Sequence, residues 1–234
     1  MSGLPPHWRP AQDELKNKTI LITGATEGIG RAVALACARL GAEVLLTGRN
    51  EAALESVYDT ILNEGGRTPG LIPLDLRITQ HEPYDELAET LLAEGLAIDG
   101  LVHNAGVLGE RRALSQTSPE SWQEVLQVNI TATFLLTRAL MPLLERASLA
   151  SIVLTSSGVG RRGKAFWGAY AVSKFATEGY MQVLADELGG TSHIRVNSLN
   201  PGAVNTKMRR AAYPGEPPDS NPLPEALTDK WIYL

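Results

Sequence analysis

Tyr170 and Lys174 are four residues apart, a spacing that places both side chains on one face of a helix. A nearby ammonium favours the phenolate, so we expect the lysine to lower the pKa of the tyrosine. The tyrosine then becomes a proton donor and acceptor near neutral pH. Thr155-Ser156-Ser157 comes earlier in the chain, and Ser157 lies thirteen positions before Tyr170. A Tyr–Lys pair alone is weak evidence of an acid–base site, and its meaning depends on the motifs around it.

A glycine-rich turn follows the first apolar run, Thr19-Ile20-Leu21-Ile22. Its glycines have the spacing Gly-x-x-x-Gly-x-Gly, which lets the backbone come close to a pyrophosphate. The helix after the turn points its free N–H groups and the positive end of its dipole at the same phosphate. We therefore expect a dinucleotide here, and the alternative is a glycine-rich turn without a ligand. The expected binding residues of the turn are Thr23, Gly24, Thr26, Gly28, Ile29 and Gly30.

Gly48 and Arg49 follow the second predicted strand, about twenty residues past the glycine turn. An NAD-selective site places an Asp or Glu there for the ribose 2′-OH, and Gly48 has no such side chain. Arg49 is suited to pair with a 2′-phosphate, which favours NADP(H) over NAD(H). Glu27 in the glycine turn weighs against NADP(H), because its carboxylate would lie near the added phosphate, and Arg31 would offset it. A solvated Arg49 at a helix start is the alternative.

Short apolar runs alternate along the chain with longer segments of helical periodicity. This alternation predicts an α/β fold, a doubly wound parallel sheet with helices on both faces. The residues that follow the strands then lie at one edge of the sheet, where ligands bind in such folds. The expected strands are residues 19–22, 43–47, 70–74, 98–103, 151–155 and 193–198, and the expected helices are 28–40, 51–64, 81–94, 118–145 and 168–188.

The composition is that of a globular protein, with 44% apolar and 20% charged residues. A formal net charge of -5 at pH 7 gives no basic surface for nucleic acid. Neither a signal peptide nor an apolar run of membrane-spanning length is found, so we expect a cytoplasmic protein without a membrane partner. We expect the single cysteine, Cys37, to be a small buried helix residue rather than a nucleophile. No metal is expected, because no cluster of His, Cys, Asp and Glu has ligand spacing.

Further motifs stand in register with the glycine turn and the Tyr–Lys pair. The pieces are Thr23-Gly24-x-x-x-Gly28-x-Gly30, Asp75-Leu76, Asn104-Ala105-Gly106, Asn129, Ser157, Tyr170-x-x-x-Lys174 and Asn200-Pro201-Gly202. Together they make the chain resemble the classical short-chain dehydrogenase/reductase family, from about residue 18 to about residue 208. Within that family it is most similar to a poorly characterised group of bacterial oxidoreductases. The resemblance implies a single-domain, Rossmann-type fold.

The resemblance implies roles for four catalytic residues. Tyr170 is the general acid in reduction and the base in oxidation. Lys174 binds the hydroxyls of the nicotinamide ribose and lowers the pKa of Tyr170. Ser157 hydrogen-bonds the substrate oxygen, with Ser156 as the less favoured alternative. Asn129 holds a water that links Lys174 to solvent, and a surface helix position is its alternative.

The resemblance also implies further cofactor contacts, in addition to Tyr170 and Lys174. Two residues after the third strand meet the adenine ring, and a loop after the fourth strand lines the adenine-ribose side. A segment after the sixth strand borders the nicotinamide and the pyrophosphate. In this order the residues are Asp75 and Leu76, then Asn104, Ala105 and Gly106, then Pro201, Gly202 and Thr206. For Asp75 the alternative is a cap on the segment after the third strand.

Two features near the expected cleft have competing interpretations. His103 stands where the family usually has Asn, and we expect it to be packed rather than catalytic. A set of basic loop residues would suit an anionic substrate, although solvated surface charge is the favoured interpretation. These residues are Arg111, Arg112, Arg161, Arg162 and Lys164.

The predicted domain organisation has three parts: an N-terminal extension (1–17), a dinucleotide-binding catalytic domain (18–208) and a substrate-lid segment of the same domain (209–234). The segment from Arg209 to Pro224 is rich in proline and is expected to be neither helix nor strand. A disordered linker is the alternative to a lid, and Ala226 to Tyr233 is expected to be one short helix. Family members usually continue into a seventh strand, so we expect either a shortened chain or another cover for that sheet edge.

The resemblance implies an oxidoreductase that transfers a hydride between NADP(H), or alternatively NAD(H), and a small-molecule carbonyl or alcohol. One alternative is a catalytically silent dinucleotide-binding regulator. The presence of the complete set of Ser157, Tyr170 and Lys174 argues against it. Another is an isomerase or dehydratase, which would usually need a separate substrate domain. The helices at 118–145 and 168–188 commonly pair between subunits in the family, so a homodimer or homotetramer is expected.

Overall fold

The structure of the protein is a computed structural model that describes residue 5 and residues 7–234. Residues 1–4 and 6 of the predicted N-terminal extension lie outside the described residues. Six strands form one parallel sheet in the order β3-β2-β1-β4-β5-β6, with helices on both faces, which confirms the predicted fold class. The strands are β1 (Thr19–Thr23), β2 (Glu43–Gly48), β3 (Gly70–Pro73), β4 (Gly100–His103), β5 (Ala150–Thr155) and β6 (Ile194–Leu199).

Up to residue 188, the helices of the described residues agree with the predicted ones, with one division. The predicted helix at 118–145 is divided by a π-helical turn, Gln127–Thr131, which is a wider turn than an α-helix makes. The α-helices are α1 (Gly28–Arg39), α2 (Glu51–Asn63), α3 (Glu82–Ala93), α4 (Pro119–Leu126), α5 (Ala132–Arg146), α6 (Gly168–Leu188), α7 (Lys207–Ala212) and α8 (Asp229–Ile232).

The chain forms two compact units, of which the first consists of the described residues up to Leu74 and of Ala203–Leu234. It contains β1 to β3 and the helices α1, α2, α7 and α8. β1 and β2 pair in parallel, from Thr19 opposite Glu43 to Thr23 opposite Thr47. The central residues of both strands are apolar and buried, because helices cover the sheet on both faces.

The second unit, Asp75–Gly202, contains β4 to β6 and α3 to α6. β5 pairs in parallel with β4 and with β6. The core of this unit is aliphatic, and α5 buries one face built from residues at helical spacing. The largest fully buried side chains of α5 are Leu136, Leu140, Leu143 and Leu144.

The C-terminal segment is more regular than the sequence predicted. Residues 209–212, expected to be irregular, belong to α7, because the Thr206 hydroxyl accepts a hydrogen bond from the Arg209 N–H (3.1 Å) and caps the first turn. Two 3₁₀ turns follow, Pro218–Ser220 and Pro224–Leu227. The single helix predicted for residues 226–233 is instead the second 3₁₀ turn followed by α8.

An ion pair closes the loop after α7. The Arg209 guanidinium donates two hydrogen bonds to the Glu216 carboxylate, at 2.6 and 2.7 Å, and lies 3.8 Å over the Tyr213 ring. The side chain of Asn221 donates a third hydrogen bond to Glu216 (2.8 Å). A bidentate pair of this kind holds a fixed geometry, so the disordered-linker alternative does not describe this segment.

Candidate active site

Ser157, Tyr170 and Lys174 lie together in the second unit. Tyr170 and Lys174 are on α6, with 9% and 5% of their surface exposed, and Ser157 stands at the start of the 3₁₀ turn Gly158–Gly160 after β5. The hydroxyls of Tyr170 and Ser157 are hydrogen-bonded to each other. The Lys174 ammonium donates to the Thr155 carbonyl (2.7 Å) and lies 5.7 Å from the centre of the Tyr170 ring. The spacing therefore predicted correctly which side chains meet.

The pKa of Tyr170 differs from the expectation of a lowered value. Burial raises the pKa of the phenol above its ordinary value, and the hydrogen bond with Ser157 acts in the opposite direction. Burial lowers the pKa of Lys174 to about 8, opposed by the charge of Glu178. The lysine charge therefore costs desolvation energy at this position, and its ammonium is directed to the Thr155 carbonyl. In the free protein Tyr170 is consequently a protonated phenol at neutral pH.

Asn129 lies in the π-helical turn and is 3% exposed, so its surface-helix alternative is wrong. Its side-chain oxygen accepts from the Val107 N–H (2.8 Å), and its amide donates to the Val107 carbonyl (3.0 Å). The amide also donates to the Ser173 hydroxyl on α6 (3.0 Å). Asn129 therefore ties the loop after β4 to the helix that carries Lys174.

The predicted cofactor residues of the second unit lie in loops after strands. In the loop after β4, a Cβ atom at Gly106 would lie 3.3 Å from Asn129 Oδ1 and 3.9 Å from Lys174 Nζ, so a larger residue would crowd both groups. Asp75 caps a turn, with its carboxylate accepting from the Arg77 N–H (3.0 Å). Leu76 is buried, Asn104, Ala105 and Pro201 are partly exposed, and Gly202 is exposed with φ +82°.

Gly160 packs against the backbone of α6. A Cβ atom at this position would lie 2.7 Å from the carbonyl oxygen of Lys174 and 3.0 Å from its Cβ atom, which is closer than such atoms approach. The Ser157 hydroxyl accepts from the Val159 N–H at 3.4 Å within the same turn. Only glycine therefore allows the turn that begins with Ser157 to lie this close to α6.

In the first unit, the glycine turn connects β1 to α1 as predicted. Gly24 and Gly28 have φ values of +66° and +54°, a left-handed conformation that favours glycine. Thr206, the cap of α7, packs against this turn. If Gly28 had a Cβ atom, that atom would lie 3.4 Å from Cγ2 of Thr206. Of the other predicted residues, Thr23 and Gly30 are buried, and Thr26 and Ile29 are partly exposed.

Glu27 has a partner that the sequence did not suggest. Its carboxylate forms an ion pair with the Lys207 ammonium (2.6 Å), although both side chains are largely exposed. Arg31, the residue expected to offset Glu27, acts instead on the pKa of Glu64 through its charge. Lys207 is therefore the cation nearest to this carboxylate among the described residues.

Gly48 and Arg49 lie at the end of β2 as predicted. A Cβ atom at Gly48 would lie 2.9 Å from Thr26 Cγ2, so an Asp or Glu at this position would require Thr26 to move. Arg49 is exposed, and the described residues give its guanidinium no ion-pair partner. The end of β2 thus presents a cation and, at Gly48, no carboxylate for a ribose 2′-OH.

His103 and Cys37 are packed residues, as expected. His103 is 6% exposed, and its Nε2 atom is 2.8 Å from the Thr137 hydroxyl. Burial lowers the pKa of His103 to about 3 and raises the pKa of the Cys37 thiol to about 12. Both side chains are therefore neutral at physiological pH, and neither fits a proton-transfer or nucleophilic role.

The basic loop residues make contacts within the protein. The Arg111 guanidinium lies 4.3 Å over the ring of Trp167, which is itself 5.7 Å from the Tyr170 ring. Arg112 pairs with Glu110 (3.5 Å) and Arg161 with Glu178 (3.3 Å). These contacts satisfy three of the cations, so the structure gives no support to an anionic substrate.

Sequence reasoning missed Glu178, a buried carboxylate on α6. It follows Lys174 by four residues, just as Lys174 follows Tyr170, so the same helical spacing could have identified it. Its contacts with Arg161 and with the Ser198 hydroxyl (2.9 Å) join segments far apart in the chain, and no local pattern indicates them.

Comparison with known proteins identifies the class. The family model for short chain dehydrogenases matches residues 18–217. The chain is 47% identical to the uncharacterized oxidoreductase YciK of Escherichia coli K12, over 97% of this chain and 90% of that protein. The protein therefore belongs to the short chain dehydrogenase family and is an oxidoreductase of that family.

Two solved structures of similar proteins contain a nicotinamide cofactor. One is a short chain dehydrogenase from Shigella flexneri 2a strain 301 complexed with NADP, with 47% identity and a TM-score of 0.93. The other is a short chain dehydrogenase from Escherichia coli CFT073 complexed with NADPH, with 48% identity and a TM-score of 0.93. Each match covers 96% of this chain and 93% of the other chain.

Proposed function

We propose that the protein uses NADP(H) to interconvert a carbonyl compound and an alcohol, with Tyr170 as general acid in reduction and general base in oxidation. The observation that carries this proposal is the buried set in which Tyr170 is hydrogen-bonded to Ser157 and lies beside the Lys174 ammonium. Proton transfer at a substrate oxygen requires a phenol, a hydroxyl and a cation that lie close together, as they do here. A regulator without turnover would have no need of this arrangement.

We also propose which residues contact the cofactor. Left-handed glycines in the turn before α1 leave the backbone open to a pyrophosphate, and the N-terminus of α1 favours its charge. The proposed contacts in the first unit are Thr23, Gly24, Thr26, Gly28, Ile29, Gly30, Arg49 and Thr206. In the second unit they are Asp75, Leu76, Asn104, Ala105, Gly106, Tyr170, Lys174, Pro201 and Gly202.

Three observations favour NADP(H) over NAD(H) in this chain. Gly48 has no carboxylate for a ribose 2′-OH, and an acidic side chain there would have to displace Thr26, which would lie 2.9 Å from its Cβ atom. Arg49 is exposed and available to pair with a 2′-phosphate. The carboxylate of Glu27, which would repel that phosphate, is paired with Lys207. The NADP and NADPH complexes of the two similar proteins agree with this preference.

The proposed mechanism follows from the protonation states of the free protein. The raised pKa of Tyr170 keeps its phenol protonated, so it can donate a proton to a substrate oxygen on which charge develops. Ser157 donates a hydrogen bond to the same oxygen. The cofactor supplies the hydride chemistry when bound. Lys174 donates one N–H to Thr155, which leaves two for ribose hydroxyls, and its charge stabilises the phenolate that remains.

We also propose a cytoplasmic homodimer or homotetramer. No described helix is long and apolar enough to cross a membrane. Val172, Phe175 and Val183 are exposed at helical spacing on α6, and Phe134 is exposed on α5. Exposed apolar surface of this kind is typical of an interaction site, here between copies of the chain.

The test of the proposed function uses Tyr170→Phe, which removes the proton and keeps the ring. Turnover of NADPH with a panel of carbonyl compounds should fall by about 10²–10⁴-fold, while NADPH binding followed by nicotinamide fluorescence should stay close to wild type. Tyr58→Phe, outside the site, is the matched control and should behave as wild type. Normal turnover by Tyr170→Phe on a substrate of the wild-type enzyme would overturn the assignment.

A further inference from the structure

Glu178 is a carboxylate in a buried environment, with 9% of its side chain exposed. The Arg161 guanidinium donates to both of its oxygens (3.3 and 3.5 Å), and the Ser198 hydroxyl of β6 donates to one of them (2.9 Å). A carboxylate bound by a guanidinium and a hydroxyl therefore lies on α6, four residues after Lys174.

An ion pair of this kind is weak evidence for a stabilising role. Burying an ion pair costs desolvation energy that its Coulomb attraction often fails to return, and apolar residues of similar volume are frequently as stable or more so. The charge of Lys174 also costs desolvation energy, because the residue is 5% exposed and its ammonium donates one hydrogen bond, to the neutral carbonyl of Thr155. Residues at i and i+4 on a helix lie about 6 Å apart at Cβ, so the two side chains are neighbours, and the charge of Glu178 acts on Lys174.

We propose that Glu178 is a positioning residue of the active site, which holds Lys174 in its charged form and fixes the turn of Ser157 against α6 through Arg161. The proposal deepens the proposed function and rests on it only in the role given to Lys174. Glu178 itself is placed to act through Lys174 and Arg161 rather than on a substrate.

The contacts of the Ser157 turn support the second part of this role. Gly160 abuts the backbone of Lys174, and the next residue, Arg161, reaches Glu178 one helical turn further along. Ser157, at the start of that turn, is hydrogen-bonded to Tyr170. The two ends of the turn are thus attached to α6 on either side of Lys174, which fixes the hydroxyl relative to the phenol.

The ionisable groups near Lys174 come from two elements. Tyr170 and Glu178 belong to α6, and Arg161 belongs to the turn before it. β5 contributes the neutral Thr155 carbonyl, and the π-helical turn contributes the neutral Asn129 amide. Among these groups of the described residues, Glu178 is the one that raises the pKa of Lys174 against the effect of burial.

The test measures the pKa of Lys174 directly by NMR in the cofactor-free protein, with ¹³C-labelled lysine. The chain has six lysines, and Lys174→Met assigns the signal. Glu178→Gln keeps the volume and the hydrogen bond from Ser198 but removes the charge, so the pKa of Lys174 should fall by about one unit. Glu178→Asp keeps the charge and should restore most of the wild-type value.

Asp186→Asn is the matched control, because it removes the same charge from an exposed position on the same helix. It should leave the pKa of Lys174 unchanged. A wild-type pKa of Lys174 in Glu178→Gln, or an equal shift in Asp186→Asn, would overturn the proposal. If Glu178→Gln does not fold, Arg161→Gln replaces it: loss of that cation should raise the pKa of Lys174, and an unchanged value would again overturn the proposal.

This experiment requires neither NADPH nor a substrate, so it is independent of the test of the proposed function. A shifted pKa in a protein that lacks turnover would leave the role of Glu178 intact and reject the oxidoreductase mechanism. An unshifted pKa in an active enzyme would reject the role of Glu178 alone.

Discussion

A Cβ atom at Gly160 would lie 2.7 Å from the carbonyl oxygen of Lys174, so the turn that carries Ser157 and the helix that carries the lysine meet with no space between them. The contact is with backbone, which cannot rotate away as a side chain can. The position of the Ser157 hydroxyl beside Tyr170 thus depends on a glycine three residues further along the chain.

Gly160→Ala should therefore displace the Ser157 turn. We expect a loss of stability of about 1–3 kcal/mol, typical of overpacking, together with a fall in kcat, because Ser157 moves from its partner. Urea denaturation and steady-state kinetics measure the two effects. Gly163→Ala is the control, since nothing lies within 4 Å of a Cβ atom there. Equal behaviour of the two variants would show that the contact does not position the turn.

Arg49→Ala should weaken NADPH binding and leave NADH binding unchanged. A hydrogen bond to a charged group contributes about 1.5–3 kcal/mol, so the dissociation constant for NADPH should rise about 10- to 100-fold. Fluorescence titration with both cofactors measures the effect, and NADH is the internal control because it lacks the 2′-phosphate. Equal weakening of both cofactors would assign Arg49 a structural role instead.

His103 should make the fold sensitive to acid. Its pKa is about 3 in the folded protein and about 6.5 when unfolded, so below pH 6.5 the unfolded chain binds a proton that the folded one excludes. The stability contributed by His103 is complete above that pH and is lost as the pH falls, by about 1.4 kcal/mol per unit.

His103→Gln should flatten this dependence, measured as the free energy of unfolding in urea between pH 7 and pH 5. His193→Gln replaces an exposed histidine and should retain the wild-type slope. The same slope in wild type and His103→Gln would mean that His103 is protonated in the folded protein.

Phe175→Glu should dissociate the proposed oligomer. The substitution places a charge in the exposed apolar row of α6 that also contains Val172 and Val183, and burying an unpaired charge at an interface is costly. Sedimentation should show monomers for this variant and the wild-type assembly for Leu223→Glu, an exposed apolar position outside α5 and α6. A monomeric wild type, or an intact Phe175→Glu oligomer, would reject this interface.

Local patterns predicted most of the elements. The alternation of apolar runs and helical segments determined the α/β class, and strand bounds such as Glu43–Gly48 agree with the prediction within one residue. The π-helical turn was not predictable, because Asn129 is held there by Val107 and Ser173, which are distant in the chain. Helix α7 was not predicted, because the prolines after Tyr213 indicated irregular structure and the helix cap that Thr206 provides was not recognised.

The sequence by itself determined which groups are available for chemistry: the helical spacing of Tyr170 and Lys174, the serine pair before them and the glycine turn are all encoded within a few residues. The tertiary structure decided their electrostatic state. Burial raises the pKa of Tyr170 where the sequence predicted a lowered one, and it lowers the pKa of Lys174 to about 8. The contacts of Glu178 and Gly160 that support the site likewise join segments that only folding brings together. Desolvation and long-range contacts exist only once the chain is packed, whereas periodicity is present in the sequence.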